Sequence, residues 1–284
     1  MATTSTATAT APAVRAMGSA ALPPAAGRAG LAGTLRSEFT KIRSVRSTYW
    51  TLLALIVVMV GIGALASWGA ATHSRQLGPD FDPTQQSLIG LVVGQLIISV
   101  LGALAITSEY STGMVHTTLT AMPRRGVVLT AKAVVFGTVA LVTGLVASFA
   151  SFFLGQALMS GKHIEASLGQ PHVLRAVIGG ALFLTVCGLL AFGLGLILRH
   201  TAAAISAAVG LLFVLFIMVN LLPQSWQDDV SKWMPFTAGS QIWRVGAASA
   251  RDHVFAPWTG FGIFAGYAAI AIIGGLILFR RRDA

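Results

Sequence analysis

Six long blocks without a single Asp, Glu, Lys, Arg or His divide this sequence, and they constrain its fold more than any other feature. Their approximate limits are Tyr49–Ala70, Ser87–Thr107, Ala133–Gln156, Ala176–Leu198, Ala202–Leu222 and Trp258–Phe279. A helix needs about 20 apolar residues to cross a hydrocarbon core about 30 Å thick. Inside that core every backbone N–H and C=O must find a partner within the chain, so such blocks predict helices. The chain is 55% hydrophobic and 10% charged, whereas soluble domains are about 25% charged. The expected fold class is an all-α integral membrane protein with about six transmembrane helices.

Six spans put both termini on one side, and the basic residues say which. Thirteen of the 19 Lys and Arg residues fall on the side of the termini, among them Arg36, Lys41, Arg43, Arg124, Arg125 and Lys132. Six of the nine acids fall on the other side, including Asp80, Asp82 and Glu165. By the positive-inside rule the termini are expected to be cytoplasmic. The net charge of +10 therefore reads as a topology signal rather than a nucleic-acid surface, and no nucleic-acid partner is expected. Cys187, the one cysteine, lies in an apolar run and reads as a small core residue.

The stretches outside the spans carry further signals. Residues 1–33 are mainly Ala, Thr, Pro and Gly without an apolar signal-peptide core, and are expected to form a disordered cytoplasmic tail. Residues 34–284 are expected to form the six-helix transmembrane domain. Over Thr34–Thr48, Leu35, Phe39, Ile42, Val45 and Tyr49 share one arc of a helical wheel, with Arg36, Lys41 and Arg43 outside it. This predicts a helix in the membrane interface with its basic residues near lipid phosphates; a positively charged extension of the first span is the alternative. In the long outer loop, Trp226, Val230 and Trp233 share one face of a short helix, suited either to the membrane–water boundary or to packing on neighbouring loops. Gly90 with Gly94, and Gly262 with Gly266, permit close helix approach, within the chain or between copies.

No catalytic machinery is legible. There is no His-Glu-x-x-His metal motif and no Gly-x-Ser-x-Gly nucleophile turn. Gly155 to His163 resembles a phosphate loop, but Gly155 and Gly161 are six positions apart rather than five, and His163 stands where a Ser or Thr would ligate magnesium. The spans lack the ionisable residues that ion-coupled carriers keep inside the membrane. Gln95, Thr185 and Asn220 are the polar exceptions, suited to hydrogen-bonding a neighbouring helix. If the chain takes part in transport, the energy is expected to come from outside it.

The segment after the second span reads Ser108-Glu109-Tyr110-Ser111-Thr112-Gly113-Met114-Val115-His116-Thr117-Thr118-Leu119-Thr120-Ala121-Met122-Pro123-Arg124-Arg125. Glu109 sits where the span leaves the membrane, Gly113 permits a break, Met114–Leu119 can form a short helix, and Pro123 ends it. Together with Ser37-Glu38-Phe39-Thr40-Lys41-Ile42-Arg43 and Met234-Pro235-Phe236-Thr237-Ala238-Gly239, this segment resembles the membrane subunits of type-2 ABC transporters, the permeases of the bacterial drug- and multidrug-export branch.

The resemblance implies a connecting helix over Thr34–Thr48, with Glu38, Phe39, Lys41 and Arg43 in it. It implies an ATPase-docking segment carrying Glu109, Tyr110, Gly113, Met114, Thr117 and Thr118, followed by Arg124 and Arg125. Glu109 would belong to a polar relay at the base of the second span. Read from the residues alone, Glu109 is equally a helix-end carboxylate paired with Arg124, Arg125 or Lys132. The implied partners are two copies of a separate ABC ATPase, a second permease copy (identical or different) and membrane lipid. The chain itself would bind no cofactor, with ATP and Mg held by the ATPase, in the cytoplasmic membrane of a bacterium. The competing expectation is a membrane assembly or immunity protein that binds a cytoplasmic partner through the same loop without transporting anything.

Overall fold

A computed structural model of the protein describes residues 31–44, 46–78, 80–111, 125–246 and 254–282. Six helices among them are long and apolar enough to cross a membrane, and no strand occurs among the described residues. In order, α1 (Leu31–Ser44) precedes the first span, α2 (Arg46–Thr72). A short α3 (Pro83–Ser87) leads into the second span, α4 (Leu91–Ser111), and α5 (Arg125–Ser160) is the third. The fourth, α6 (Val173–Leu198), turns at once into the fifth, α7 (Thr201–Val219), which contains a π-helical turn over Gly210–Val214. Two short helices follow, α8 (Gln224–Ser231) and α9 (Pro235–Ser240), before the last span, α10 (Pro257–Arg282).

The centre of the bundle is α6. Of its most apolar stretch 67% is buried, against 22% for each of α2, α7 and α10. It packs along α4, α5 and α10, and small residues let it do so. A Cβ at Gly102 of α4 would fall onto the backbone carbonyl of Gly188 in α6, so these helices touch backbone to backbone. The outer helices turn Trp50, Val57, Leu65, Ile217 and Ile270 outward. In water such a surface would be an aggregation liability, but a bilayer is its natural solvent. Of the two small-residue pairs, Gly90 and Gly94 pack inside the chain on Met59 and Leu55, while Gly262 and Gly266 face no other part of it.

Boundaries differ from the sequence expectation in three places, each for a local reason. First, α4 starts at Leu91 rather than Ser87, because Asp82 and Pro83 open a separate helix. The Asp82 carboxylate accepts from the backbone N–H of Thr84 at 2.8 Å and Gln85 at 3.2 Å, and Pro83 occupies the first helical position, where its missing N–H costs nothing. This α3 is wedged between α2 and α5. The Ser151 hydroxyl donates to the Ser87 carbonyl at 2.6 Å, and the Gln156 amide donates to Pro83 O at 3.1 Å and Ser87 Oγ at 3.2 Å.

Second, α5 begins at Arg125 rather than Ala133. At 1.5 Å per residue its 36 residues reach about 54 Å, well beyond a hydrocarbon core. Lys132, expected in a loop, therefore lies about two turns inside a helix. Third, α1 turns a polar side inward: Thr34 and Glu38 are buried, Lys41 is half-buried and Phe39 is exposed. Lys41 accordingly faces a protein partner rather than the outward basic face expected of it.

Among the tryptophans, Trp226 and Trp233 are exposed at and just beyond α8, whereas Trp243 is buried in the turn after α9. The Tyr267 hydroxyl of α10 donates to the Trp233 carbonyl at 2.9 Å, fixing that outer segment to the last span.

Candidate functional site

Four charged side chains meet at the end of the bundle where α1, the end of α4 and the start of α5 converge. Glu38 comes from α1, and its i+3 neighbour Lys41 lies on the same face. Glu109 comes from the last turn of α4, and Lys132 from the second turn of α5. The Lys132 ammonium donates to Glu38 Oε2 at 2.8 Å and to Glu109 Oε1 at 2.6 Å. Lys41 donates to the other Glu38 oxygen at 2.8 Å and lies 3.7 Å from Glu109 Oε1. Among the described side chains, two negative and two positive charges thus meet across three helices.

Burial makes this cluster different from a surface ion pair. The side chain of Glu38 is 2% exposed and that of Lys132 8%. Each would pay several kcal/mol to leave water alone, so each must keep its partner. Burial pushes the Glu38 carboxyl up, but Lys132 and then Lys41 outweigh it and hold the group below the ordinary carboxylate value. Burial likewise pulls the Lys41 ammonium down, and Glu38 with Glu109 more than offsets it, so the group titrates above the ordinary lysine value. Both Glu38 and Lys41 are therefore charged at neutral pH.

The next residue, Tyr110, points another way around α4, since successive helical residues are about 100° apart. Its ring lies beneath the Arg199 guanidinium, 5.2 Å from the ring centre. Arg199 is the linker residue between α6 and α7. The same guanidinium is 6.0 Å from the Phe279 ring near the end of α10. One turn back, the Thr201 hydroxyl donates to Thr107 Oγ1 at 2.9 Å.

The cluster brings together three of the residues singled out in the sequence, Glu38, Lys41 and Glu109, and joins them through Lys132. Among the described side chains, Lys132 pairs with Glu109, as one of the three readings open to it expects. Phe39 is 53% exposed and takes no part. Arg43 lies in α1 and Arg125 opens α5. Gly113, Met114, Thr117, Thr118 and Arg124 lie outside the described residues. Glu109 lies two residues before Ser111, where α4 ends, and Lys132 seven residues after Arg125, where α5 begins.

Residues 34–224 match the family model of the ABC-2 family transporter proteins. The chain belongs to that family. No curated protein matches the chain. The match runs from α1 to the start of α8 and contains the whole charged cluster, Tyr110 and Arg199. This ABC-2 protein is a multi-pass membrane permease, a component of membrane transport, and its family implies partnership with an ABC ATPase. Three helices tied by buried opposite charges cannot slide past one another without exposing an unpaired charge to a low dielectric.

Proposed function

We propose that this permease is the membrane half of an ATP-driven exporter, powered by a separately encoded ATPase that docks on the segment from Glu109 to Thr118. The side carrying α1 and the cluster is then cytoplasmic, and the membrane is the cytoplasmic membrane of a bacterium. Two permeases and two ATPases make the working assembly, with the substrate passing between the permeases. ATP and Mg are held by the ATPase.

The observation that carries this reading is the Glu38–Lys41–Glu109–Lys132 cluster. It ties Glu109, at the root of the docking segment, and Lys132 of α5 to a helix preceding the first span. Force applied to residues 112–124 meets a stiff joint. A push on the segment therefore moves α4, α5 and α1 together, which is what a subunit driven from outside requires. Glu109 is the member of the joint nearest the push, and its role is to transmit rather than to react.

Co-purification tests the proposal. The tagged chain, drawn from native membranes in mild detergent, is expected to bring down a Walker-type ATPase with measurable ATP hydrolysis. Purification without that subunit from membranes that contain it, together with no crosslink through Thr117 or Thr118, would refute the exporter reading. It would then favour a non-transporting membrane protein that binds some other cytoplasmic partner.

A further inference from the structure

Glu109 and Tyr110, consecutive at the end of α4, reach opposite halves of the bundle. Glu109 engages α1 and α5 through Lys41 and Lys132. Tyr110 engages the α6–α7 turn through Arg199, which also sits over Phe279 of α10. Tyr110 and Phe279 belong to a small apolar cluster at this end, separate from the main core, with Ile106, Leu129, Phe192 and Leu196. A cation 5–6 Å from two aromatic faces is within the range where attraction to the ring matters.

The backbone at Arg199 adds a second observation. Arg199 caps α6 in the left-handed conformation, φ 55° and ψ 10°, and its N–H donates to Gly195 O at 2.9 Å. Glycine is the residue that fills this cap position without strain. Arg there is held against its own backbone preference.

We propose that Arg199 is a second positioning residue for coupling, the one that carries displacement of the docking segment, through the Tyr110 ring, into the α6–α7 turn and the last span. This rests on the exporter reading above and deepens it, assigning two arms to one docking segment: an ionic arm from Glu109 and a cation–π arm from Tyr110. The second arm adds to the direct packing of α4 on α6 and to the Thr201–Thr107 hydrogen bond, and it is the one that also reaches Phe279 of α10.

Arg199→Gly separates this role from a structural one, because glycine relieves the left-handed backbone and leaves the cap intact. The test uses the permease–ATPase complex in lipid nanodiscs, with an environment-sensitive maleimide dye on Ala202→Cys at the start of α7. A second complex carries the dye on Ser37→Cys in α1. Both sites are exposed, and Cys187 is fully buried, so it stays unlabelled. Mg-ATP and a non-hydrolysable analogue are the probes.

In the parent complex both dyes are expected to respond to nucleotide. With Arg199→Gly, the response at residue 202 should fall by about threefold or more, the scale on which a cation–π contact biases two states, while the response at residue 37 persists. Arg199→Lys should restore part of it, and Tyr110→Phe, which keeps the ring, should leave it whole. An undiminished response at residue 202 in both Arg199→Gly and Tyr110→Leu would overturn the second arm while leaving the exporter reading in place. No response at either dye in the parent complex would overturn both.

Discussion

Replacing Lys132 by methionine tests the charged joint most directly, because methionine keeps the length and apolar stem and removes only the charge. In the native cluster Lys132 serves two carboxylates, at 2.8 and 2.6 Å. Its loss leaves Glu38, 2% exposed, and Glu109, 13% exposed, both facing Lys41, and removes one of the two positive charges described there. Breaking a buried pair costs about 3–5 kcal/mol. Because Lys41 stays 2.8 Å from Glu38, the lower end applies, about 3 kcal/mol, or roughly two decades in an opening equilibrium. Cys187 supplies the assay. It is the one cysteine and is fully buried in α6, so a thiol-reactive dye in detergent reports opening of the bundle. Lys132→Met should label on the order of 100-fold faster than the native chain. Glu38→Gln combined with Lys132→Met leaves Glu109 facing Lys41 and should recover most of that loss. Native-like labelling of Lys132→Met, or a double variant worse than the single, would refute the argument that buried charge pairing holds these helices.

Stability should depend on pH at both ends of the scale. Glu38 titrates below its ordinary value of 4.5, so its contribution is present above that pH and lost as the medium is acidified through its folded-state value. Lys41 titrates above its ordinary 10.5, so its contribution holds below that pH and fades as alkalinity passes its raised value; Cys187 labelling against pH should show a plateau bounded on both sides, with the acid edge removed in Glu38→Gln. Gly102→Ala puts a methyl onto the Gly188 carbonyl and should destabilise by about 1–3 kcal/mol, read as earlier loss of the monodisperse peak in size exclusion after heating. A cysteine at Thr118 should react with a membrane-impermeant maleimide only from the cytoplasmic face; labelling from outside would reverse the proposed orientation.

The spans were legible because hydrocarbon leaves the backbone no alternative to helix. Six uncharged blocks became six helices with ends displaced by a few residues. The displacement matters most at α5. Gly126 to Ala131 reads Gly-Val-Val-Leu-Thr-Ala, a run with no stop signal between Arg125 and Lys132, so the positive charge alone placed Lys132 in a loop. A helix long enough to project beyond the bilayer can carry such a charge, and hydropathy does not separate the two cases. The inward side of α1 was hidden for a different reason. Its apolar periodicity pointed through Leu35 and Phe39, whereas the side that packs on the bundle carries Thr34 and Glu38. The i, i+3 pair Glu38 and Lys41 was the available signal, since opposite charges on one face predict a joint contact. Asp82-Pro83-Thr84 likewise carried cap and first-turn signals for α3. Arg199 had no sequence signal at all. Its left-handed backbone and its place over Tyr110 are products of a tight turn brought to α4 by tertiary packing.

The two contacts at the end of α4 should also differ in stiffness, and double-mutant cycles can rank them. Glu109 meets Lys132 at 2.6 Å, with the lysine 8% exposed, where low dielectric strengthens attraction and desolvation punishes separation. Arg199 meets Tyr110 at 5.2 Å, an interaction worth about 0.5–2 kcal/mol with a shallow dependence on position. The coupling energy of Glu109 with Lys132, from Cys187 labelling of the single and double variants, should therefore approach the upper part of the usual contact range of about 0.5–3 kcal/mol, and that of Tyr110 with Arg199 the lower part. Two cycles with equal coupling, or a larger value for the aromatic pair, would contradict the ranking. The order has a mechanical consequence. A displacement of the docking segment is therefore expected to be taken up more rigidly by α1 and α5 than by the α6–α7 turn.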